Sequence, residues 1–289
     1  MKRLSVIFLS ILLLSCSNNE KEAQQPFSDN FEPSNYAVEN SYTEISFDES
    51  WQFADFSKIN SGSARLYNAD NPRKNITVAV NAGHGTEGAK GIKVFSHPDK
   101  SPKITGGTNE EGAVESLAIS SGMTFECGLT EAEANLRVAI ILRRLLLQKG
   151  YDVLMIRNGA DVQLDNIART VRSNNNADIH IAIHFDSDTR TMDKGCFYCG
   201  IPAALKALPN VDLHYSESER LGSCLINQLK NSGAPVFSNG RLEIDLMQTS
   251  YSTIPTADIE LGNQCTIPNT GLLEERAQAL FKGIEEYFS

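Results

Sequence analysis

The sequence predicts an α/β fold of three layers, in which a twisted, mostly parallel sheet is covered by helices on both faces. Short apolar runs alternate along the chain with segments of helical hydrophobic spacing, and this alternation is typical of a parallel sheet. Hydrophobic residues make up 41% of the 289 residues and charged residues 21%. That composition supports one sizeable core.

The first sixteen residues have the pattern of an export signal. Two basic residues precede the apolar stretch Leu4–Leu14, which is too short to span a bilayer comfortably. The following Leu13-Leu14-Ser15-Cys16 resembles the lipoprotein box of bacteria, in which the cysteine becomes the lipid-modified first residue. We therefore expect a lipoprotein signal peptide at 1–15 and a membrane anchor at Cys16. The alternative is an ordinary signal peptide with a chance cysteine.

The segment that follows the signal is polar at first and then contains several aromatic residues. Residues 16–40 are rich in Asn, Glu, Gln, Ser and Pro and are expected to form a flexible tether. Residues 41–74 are expected to pack as an N-terminal extension on a domain at 75–289, although their aromatic side chains could instead recognise a partner. The net charge of −10 argues against nucleic acid as a partner.

A run of β-branched residues, Ile76–Val80, predicts a buried strand that is broken before the turn Gly83-His84-Gly85. Glycine lets the backbone turn sharply and approach a ligand closely. Ligands usually bind beyond the carboxyl ends of parallel strands. Taken alone, such a turn is more often only a turn. The segment 89–128 predicts a long irregular loop, either functional or disordered.

The clearest helix begins at Thr130. Thr130 and Glu133 fit a capping box, which makes Glu133 a cap partner rather than a ligand, and Gly150 ends the helix. The remaining predicted elements are a strand at 151–156, a helix at 162–175, a strand at 179–183 that ends at His184, a helix at 217–229, a strand at 256–261 that carries Glu260 near its end, and a closing helix at 272–288.

Two histidines thus follow apolar strands, and two carboxylates lie at the ends of other elements. His84, His184 and Glu131, which begins the first helix, form one of the usual ligand sets of catalytic zinc, with a fourth position left for water. Glu260 could take a proton from that water and pass it to a leaving nitrogen. These residues together indicate metal-assisted hydrolysis of an amide.

Four ordered motifs resemble the zinc-dependent N-acetylmuramoyl-L-alanine amidases of the Amidase_3 family. They are VAVNAGHG, Glu131 four residues before Asn135-Leu136, ADIHIAIHFDS, and Ile259-Glu260-Leu261-Gly262-Asn263. The resemblance spans about residues 75–288. It implies an exported peptidoglycan hydrolase of the cell envelope. This enzyme would cleave the amide between N-acetylmuramic acid and L-alanine, with zinc on His84, Glu131 and His184 and with Glu260 as general acid/base.

The chain departs from the family pattern at a few positions. Asn81 and Ala82 stand where the family usually has Asp-Pro, Thr86 replaces a common glycine, and Asn263 replaces the usual phenylalanine. None of these departures removes a ligand or the acid/base. They motivate one alternative, a non-catalytic lipoprotein that binds the wall.

A second alternative is a zinc carboxypeptidase acting on wall peptides. Metallocarboxypeptidases usually gather two ligands as His-x-x-Glu, and His84 with Glu87 has that spacing. The amidase pattern is preferred because it accounts for Glu131 and for the helix that follows it. The residues do not identify a protein partner.

Other polar residues receive simpler interpretations. His180 is expected to be a hydrogen-bonded core residue or to lie behind a ligand. His97 and His214 are expected at the surface, and Arg169 in a structural ion pair. Asp186 and Ser187 are expected to line the cleft. The CxxC at Cys196 and Cys199 favours a local disulfide or two packed thiols over a zinc site, because no second pair accompanies it.

Overall fold

The computed structural model describes residues 30–70, 72–188 and 192–289. The predicted signal peptide at 1–15 and the predicted anchor Cys16 lie outside the described residues, as does the first part of the predicted tether. Within the described residues, no helix is both long and apolar enough to cross a membrane.

An eight-stranded sheet forms the centre of the described part of the molecule. Its strands are β1 Tyr42–Ile45, β2 Ala64–Tyr67, β3 Thr77–Ala82, β6 Asp152–Met155, β7 Ile179–Asp186, β8 Cys196–Gly200, β9 Val236–Glu243 and β10 Thr256–Asn263. They lie in the order β1-β2-β6-β3-β7-β10-β8-β9. Four neighbouring strands, β6, β3, β7 and β10, run parallel, and β8 and β9 are parallel to each other. The pairs β1–β2, β2–β6 and β10–β8 are antiparallel, so the sheet is mixed but mostly parallel, as predicted.

Helices cover both faces of the sheet, which confirms the predicted three layers. The helices are α1 Glu131–Gln148, α2 Asn166–Asn176, α3 Pro209–Asp212, α4 Tyr215–Asn231, α5 Met247–Tyr251 and α6 Thr270–Tyr287. Because side chains alternate along a strand, Val78 and Val80 of β3 belong to the core cluster that also contains residues of α1, α4 and α6, whereas Ala79 belongs to a cluster with residues of α2. The short helix α5 lies beside α2.

The predicted ends of the first helix are confirmed. The side chain of Thr130 accepts a hydrogen bond from the backbone N–H of Glu133, and Gly150 adopts a φ of +93°, which favours glycine. The other boundaries shift. Strand β3 continues through Ala82 instead of breaking at Asn81, and strand β7 contains His184 rather than ending before it.

The predicted loop at 89–128 is ordered. Two short strands, β4 Lys93–Phe95 and β5 Glu115–Leu117, form a separate antiparallel pair. Asp245 ties this segment to the domain, because its carboxylate contacts Nε2 of His97 at 2.8 Å and accepts a hydrogen bond from the Ile104 backbone at 2.7 Å. His97 is therefore fully buried, and the prediction that it lies at the surface is wrong.

His214 is also buried rather than exposed. Its Nδ1 lies 2.8 Å from Oγ of Ser218, and its Nε2 lies 3.0 Å from the carbonyl oxygen of Ser252. The burial of His97 and His214 could not be predicted from their positions in loops, because segments distant in the chain bury both side chains.

The N-terminal segment also packs on the domain. Phe47, Trp51, Phe53 and Phe56 contact a cluster that includes Tyr251 of α5. Residues 30–40 fall within the predicted tether, yet Tyr36 is only 3% exposed and its hydroxyl donates to Glu274 at 2.5 Å. The packed part of the chain therefore begins before residue 41.

The CxxC motif lies within β8 and holds no disulfide. Both cysteines are buried free thiols. Residues three apart on a strand point to opposite faces, so Cys196 packs in the core shared with α1, α4 and α6, whereas Cys199 points to the other face. Of the two predicted arrangements, the disulfide is wrong, and the two packed thiols are confirmed, on opposite faces of the strand.

Asp165 joins the N-terminal segment to α2. Its fully buried carboxylate caps the helix at the Ala168 N–H and accepts hydrogen bonds from Ser57 Oγ and from the Lys58 and Ile59 backbones. Replacing Asp165 with alanine leaves these donors without an acceptor, so we expect the free energy of unfolding to fall by about 3–5 kcal/mol.

Urea unfolding measures that loss. The control is Asp178→Ala, which removes an exposed carboxylate that accepts from a single backbone N–H, that of Thr77. A loss for Asp165→Ala no larger than for the control would contradict the assignment of Asp165 as the link between these segments.

Candidate functional site

Three neighbouring parallel strands bring the predicted site residues to one edge of the sheet. His84 follows the end of β3 by two residues, His184 lies in β7, and Glu260 of β10 stands directly beside His184 in the strand register. Glu131 is the first residue of α1, which packs against β3 and β7. Parallel topology therefore places four residues that are distant in sequence at the same edge.

His84, Glu131 and His184 converge on one another, and we call them the His–Glu–His cluster. Oε1 of Glu131 lies 2.7 Å from Nε2 of His84 and 3.1 Å from Nδ1 of His184. The two ring nitrogens are themselves 3.1 Å apart. The three atoms thus face a common point, as ligands of one ion would.

The C-terminal part of the 89–128 segment contacts two members of this cluster, His84 and Glu131, and holds their side chains in place. The carbonyl oxygen of Ser120 lies 2.9 Å from Nδ1 of His84, and the Met123 N–H donates to Oε2 of Glu131 at 3.0 Å. Gly122 passes so close that an added Cβ would lie 2.7 Å from the His84 ring. These contacts leave Nε2 of His84 and Oε1 of Glu131 directed toward His184.

The donor set fits a divalent metal such as zinc. Two imidazoles and one carboxylate are a common ligand set for catalytic zinc, and all three donor atoms lie within 4.8 Å of one another. Hydrogen bonds to Oε1 of Glu131 from Asn135 and from the Phe185 backbone, at 3.3 and 3.2 Å, hold the carboxylate in place.

The electrostatics of the cluster favour a cation. Burial alone would raise the pKa of Glu131, but hydrogen bonds from His184 and His84 hold it well below its usual range. Burial would lower the pKa of His184, but Asp258 and Glu131 raise it to about 9. The carboxylates thus hold positive charge at this point, and a metal ion would supply that charge in place of the proton.

The turn that carries His84 is strained and tightly packed. His84 itself has a φ of +62°, which is unfavourable for a residue with a side chain. A Cβ at Gly83 would lie 2.1 Å from the His184 ring, so only glycine fits beside it.

Two buried arginines hold this turn through its carbonyl groups. Arg169 donates to the carbonyls of Ala82 and His84 at 2.9 and 2.6 Å, and Arg157 donates to the carbonyl of Gly83 at 3.1 Å. None of the described hydrogen bonds of Arg169 goes to a carboxylate, so the predicted ion pair is wrong. Arg169 instead fixes the backbone that presents His84.

The departures from the family pattern have structural partners. Oδ1 of Asn81 accepts from Arg169 at 3.1 Å, and Oγ1 of Thr86 accepts from the same guanidinium at 3.1 Å. Asn263 donates to the carbonyl of Met192 at 3.1 Å. Asn81 and Thr86 therefore support the site through Arg169, and none of the three residues replaces any part of the His–Glu–His cluster.

The carboxyl of Glu260 stands beside His184 and is partly buried. Its Oε2 is buried and has no hydrogen-bond partner among the residues that the structure describes. Burial raises the pKa of Glu260 well above its usual range; the imidazole of His184 opposes this shift, and Asp258 and Glu131 add to it. A carboxyl with a raised pKa can both accept and release a proton near neutral pH.

Several other sequence candidates lie apart from the cluster. Glu87 is exposed and does not join the group. The backbone N–H of Glu133 donates to Oγ1 of Thr130 at 3.2 Å, but its carboxylate pairs with Arg137 at 2.7 Å, so only half of the predicted capping box is described. Asp186 forms an ion pair with Lys194. Ser187 is exposed, with no contact described.

His180 is a core residue, but it is not hydrogen-bonded. The ring is fully buried, and neither nitrogen has a partner in the described part of the chain. Burial, with a smaller contribution from Arg169, lowers the pKa of His180 to about 3, so the ring is neutral. The part of the prediction that gave it hydrogen bonds is wrong.

Sequence reasoning missed Asp258 and Cys199. Asp258 lies two residues before Glu260 on β10, and Cys199 lies on the neighbouring strand β8. Their polar atoms and those of Glu260 lie within 4.8 Å of one another. The alternation Asp258-Ile259-Glu260 is the signal that could have found Asp258, because it places both carboxylates on one face of the strand.

Comparisons with solved structures give the same fold. The chain is similar to the apo form of the amidase Ami1 from Mycobacterium abscessus, at 19% identity and a TM-score of 0.59, over 74% of this chain and 99% of that one. Ami1 from Mycobacterium smegmatis matches at 18% identity and a TM-score of 0.59, over 74% of this chain and 96% of that one. AmiC2 of Nostoc punctiforme matches at 18% identity and a TM-score of 0.52, over 74% of this chain and 97% of that one.

Sequence comparison identifies the family. No curated protein matches the chain significantly. The family model described as N-acetylmuramoyl-L-alanine amidase, Amidase_3, matches residues 78–284. That range covers well over half of the chain and contains the His–Glu–His cluster together with Glu260, and the chain therefore belongs to the Amidase_3 family of N-acetylmuramoyl-L-alanine amidases.

Proposed function

We propose that the protein is a zinc-dependent peptidoglycan amidase that cleaves the bond between N-acetylmuramic acid and the L-alanine of the stem peptide. The observation that carries this proposal is the convergence of His84 Nε2, Glu131 Oε1 and His184 Nδ1. Beside them stands Glu260, whose Oε2 has no partner among the described residues. Family membership supports the substrate class.

Zinc held by His84, Glu131 and His184 would supply a Lewis acid that activates water and polarises the amide carbonyl. The carboxylate of Glu260 would take a proton from the attacking water and deliver it to the leaving nitrogen. The carbon–nitrogen bond breaks, leaving a carboxylate on the muramic acid and a free amino group on L-alanine. Arg157 and Arg169 act at a distance by fixing the turn that presents His84.

We further propose that the enzyme is exported and anchored to a membrane of the cell envelope through a lipid on Cys16. The sequence of the first sixteen residues supports this part of the proposal. A Cys16→Ser variant expressed in a bacterial host should lose incorporation of labelled palmitate. Retained label would remove Cys16 as the anchor.

Digestion of purified peptidoglycan tests the activity. We expect new L-alanine amino termini and no new reducing sugar ends, because only the amide is cleaved. New reducing ends alone would contradict the proposal. Release of free D-alanine from stem peptides would instead indicate the carboxypeptidase alternative, and undigested wall with tight binding would indicate the non-catalytic one.

The same assay separates the amidase from the carboxypeptidase through Glu87. Glu87 is exposed and lies outside the His–Glu–His cluster, so Glu87→Ala should digest peptidoglycan at the wild-type rate. A Glu87→Ala variant that loses both zinc and activity would favour a His-x-x-Glu metal site.

A further inference from the structure

The two histidines of the His–Glu–His cluster present different ring nitrogens to Glu131. His84 uses Nε2, and its Nδ1 faces the carbonyl oxygen of Ser120 at 2.9 Å. Because a carbonyl oxygen only accepts, this contact keeps the proton of His84 on Nδ1. His184 is reversed, since its Nδ1 lies 3.1 Å from Glu131. For Nδ1 of a neutral His184 to act as a ligand, its proton must stay on Nε2.

A buried carboxylate lies on that side of the His184 ring. Oδ2 of Asp258 is 3.9 Å from Nε2 of His184. Asp258 pairs with Ala182 in the register of β10 and β7, so it lies on the same sheet face as His184. Its exposure is only 9%. Glu260, the other carboxylate on this face, makes no such ion pair in the described part of the chain.

The described surroundings of Asp258 give its carboxylate a single, weak hydrogen bond. The only described hydrogen bond to its carboxylate comes from Sγ of Cys199, at 3.7 Å from Oδ1. A thiol is a weak donor, whereas a buried carboxylate is costly unless it is paired and hydrogen-bonded. The Nε2–H of His184 is therefore the stronger donor that faces Asp258. At 3.9 Å the two groups interact electrostatically, and a short movement of the ring would form the hydrogen bond.

We propose that Asp258 is a positioning residue of the metal site: it holds the proton of His184 on Nε2 and so keeps Nδ1 available to the ion. This inference rests on the proposed zinc site. Carboxylates that accept from a ligating histidine orient the ring and raise its basicity, and their loss weakens metal binding. Asp258 does not touch the substrate in this account, and its effect passes through His184.

Two variants of matched size separate this role from a packing role. Asparagine at position 258 keeps an oxygen that can accept from Nε2, whereas leucine of similar shape removes it. Removing one partner of a buried pair is costly when it leaves an unpaired charge. Here it leaves a neutral imidazole, so the leucine variant should fold. We expect Asp258→Leu to bind zinc about 10–100-fold more weakly than wild type, and Asp258→Asn to stay much closer to wild type.

Zinc affinity is measured by competition with a chelator, which requires no turnover. The control is Asp152→Asn, which changes a buried carboxylate at the opposite end of the parallel strands, where Asp152 bonds Arg73 and the Ala69 backbone. This control should bind zinc as wild type does. Equal zinc affinities for Asp258→Leu and Asp258→Asn would overturn the inference.

A spectroscopic readout tests the proton directly. In the zinc-loaded wild type, nitrogen-15 NMR of the histidine rings should show His184 protonated at Nε2, with slow exchange of that proton. The signal is assigned by its absence in His184→Gln, and in Asp258→Leu the exchange should be faster. Unchanged exchange would overturn the inference while leaving the zinc site intact. A wild type that binds no zinc would instead overturn the proposed function and, with it, this inference.

Discussion

Replacing Glu260 with glutamine should lower the rate of amide cleavage by about 10²–10⁴-fold and leave zinc binding unchanged. Glutamine has nearly the same volume as glutamate, but its amide does not accept and release a proton. The carboxyl of Glu260 is suited to both steps, because burial holds its pKa well above the usual range and its Oε2 has no partner among the described residues.

The measurements are kcat on a soluble muramyl peptide and zinc content by atomic absorption. Glu243→Gln is the control, because Glu243 is an exposed residue of the edge strand β9 that pairs with Arg241. It should match wild type in both measurements. A Glu260→Gln enzyme within a few-fold of the wild-type rate would remove Glu260 from the proposed mechanism.

Replacing Glu131 with alanine should abolish both zinc binding and turnover. Oε1 of Glu131 is the atom that both ring nitrogens approach, at 2.7 Å for His84 and 3.1 Å for His184. Without it, two imidazoles remain, fewer than the three protein ligands of catalytic zinc sites. The backbone N–H of Met123 also loses its acceptor, so the C-terminal part of the 89–128 segment should loosen.

Glu133→Ala is the matched control for this variant. Glu133 belongs to the same first turn of α1, but its exposed carboxylate pairs with Arg137. This variant should keep about one zinc per chain and full activity. If Glu131→Ala kept its zinc, the ion would have to bind elsewhere, and the group formed by Cys199, Asp258 and Glu260 would be the alternative.

Local signals in the sequence predict the centre of this fold well. Thr130 and Gly150 mark the ends of α1 through capping chemistry, and the structure shows both devices. The parallel strands β3, β6 and β7 were predicted because their runs are mostly apolar, as expected for strands buried on both faces. The observed start of a helix differs from the predicted one by a few residues where a side-chain cap sets it. An example is α2, whose N-cap is Asp165.

The edges of the sheet were not predicted, and the reason is physical. Strand β1 is mostly exposed and only four residues long, so it carries neither a buried run nor a clear alternation. Strand β8 was interpreted only as a cysteine motif. The 89–128 segment is ordered by distant partners such as Asp245, and long-range contacts of this kind leave no local signal in one sequence.

The site shows the same division between local and long-range information. Strand ends and a helix start predict that His84, Glu131 and His184 should meet, and the structure brings them together. Their roles as ligands stay predictions. The surrounding supports were missed or misassigned: Arg169 binds carbonyl groups rather than a carboxylate, and Asp258 faces His184. Both depend on packing between elements that are far apart in the chain.

The central claim is that one zinc ion binds between His84, Glu131 and His184. The most direct measurement is anomalous diffraction at the zinc edge from a crystal of the zinc-loaded protein. We predict a single strong peak in contact with Nε2 of His84, Oε1 of Glu131 and Nδ1 of His184. A peak at Cys199, Asp258 and Glu260 instead, or no peak in the cleft at full zinc loading, would contradict the account.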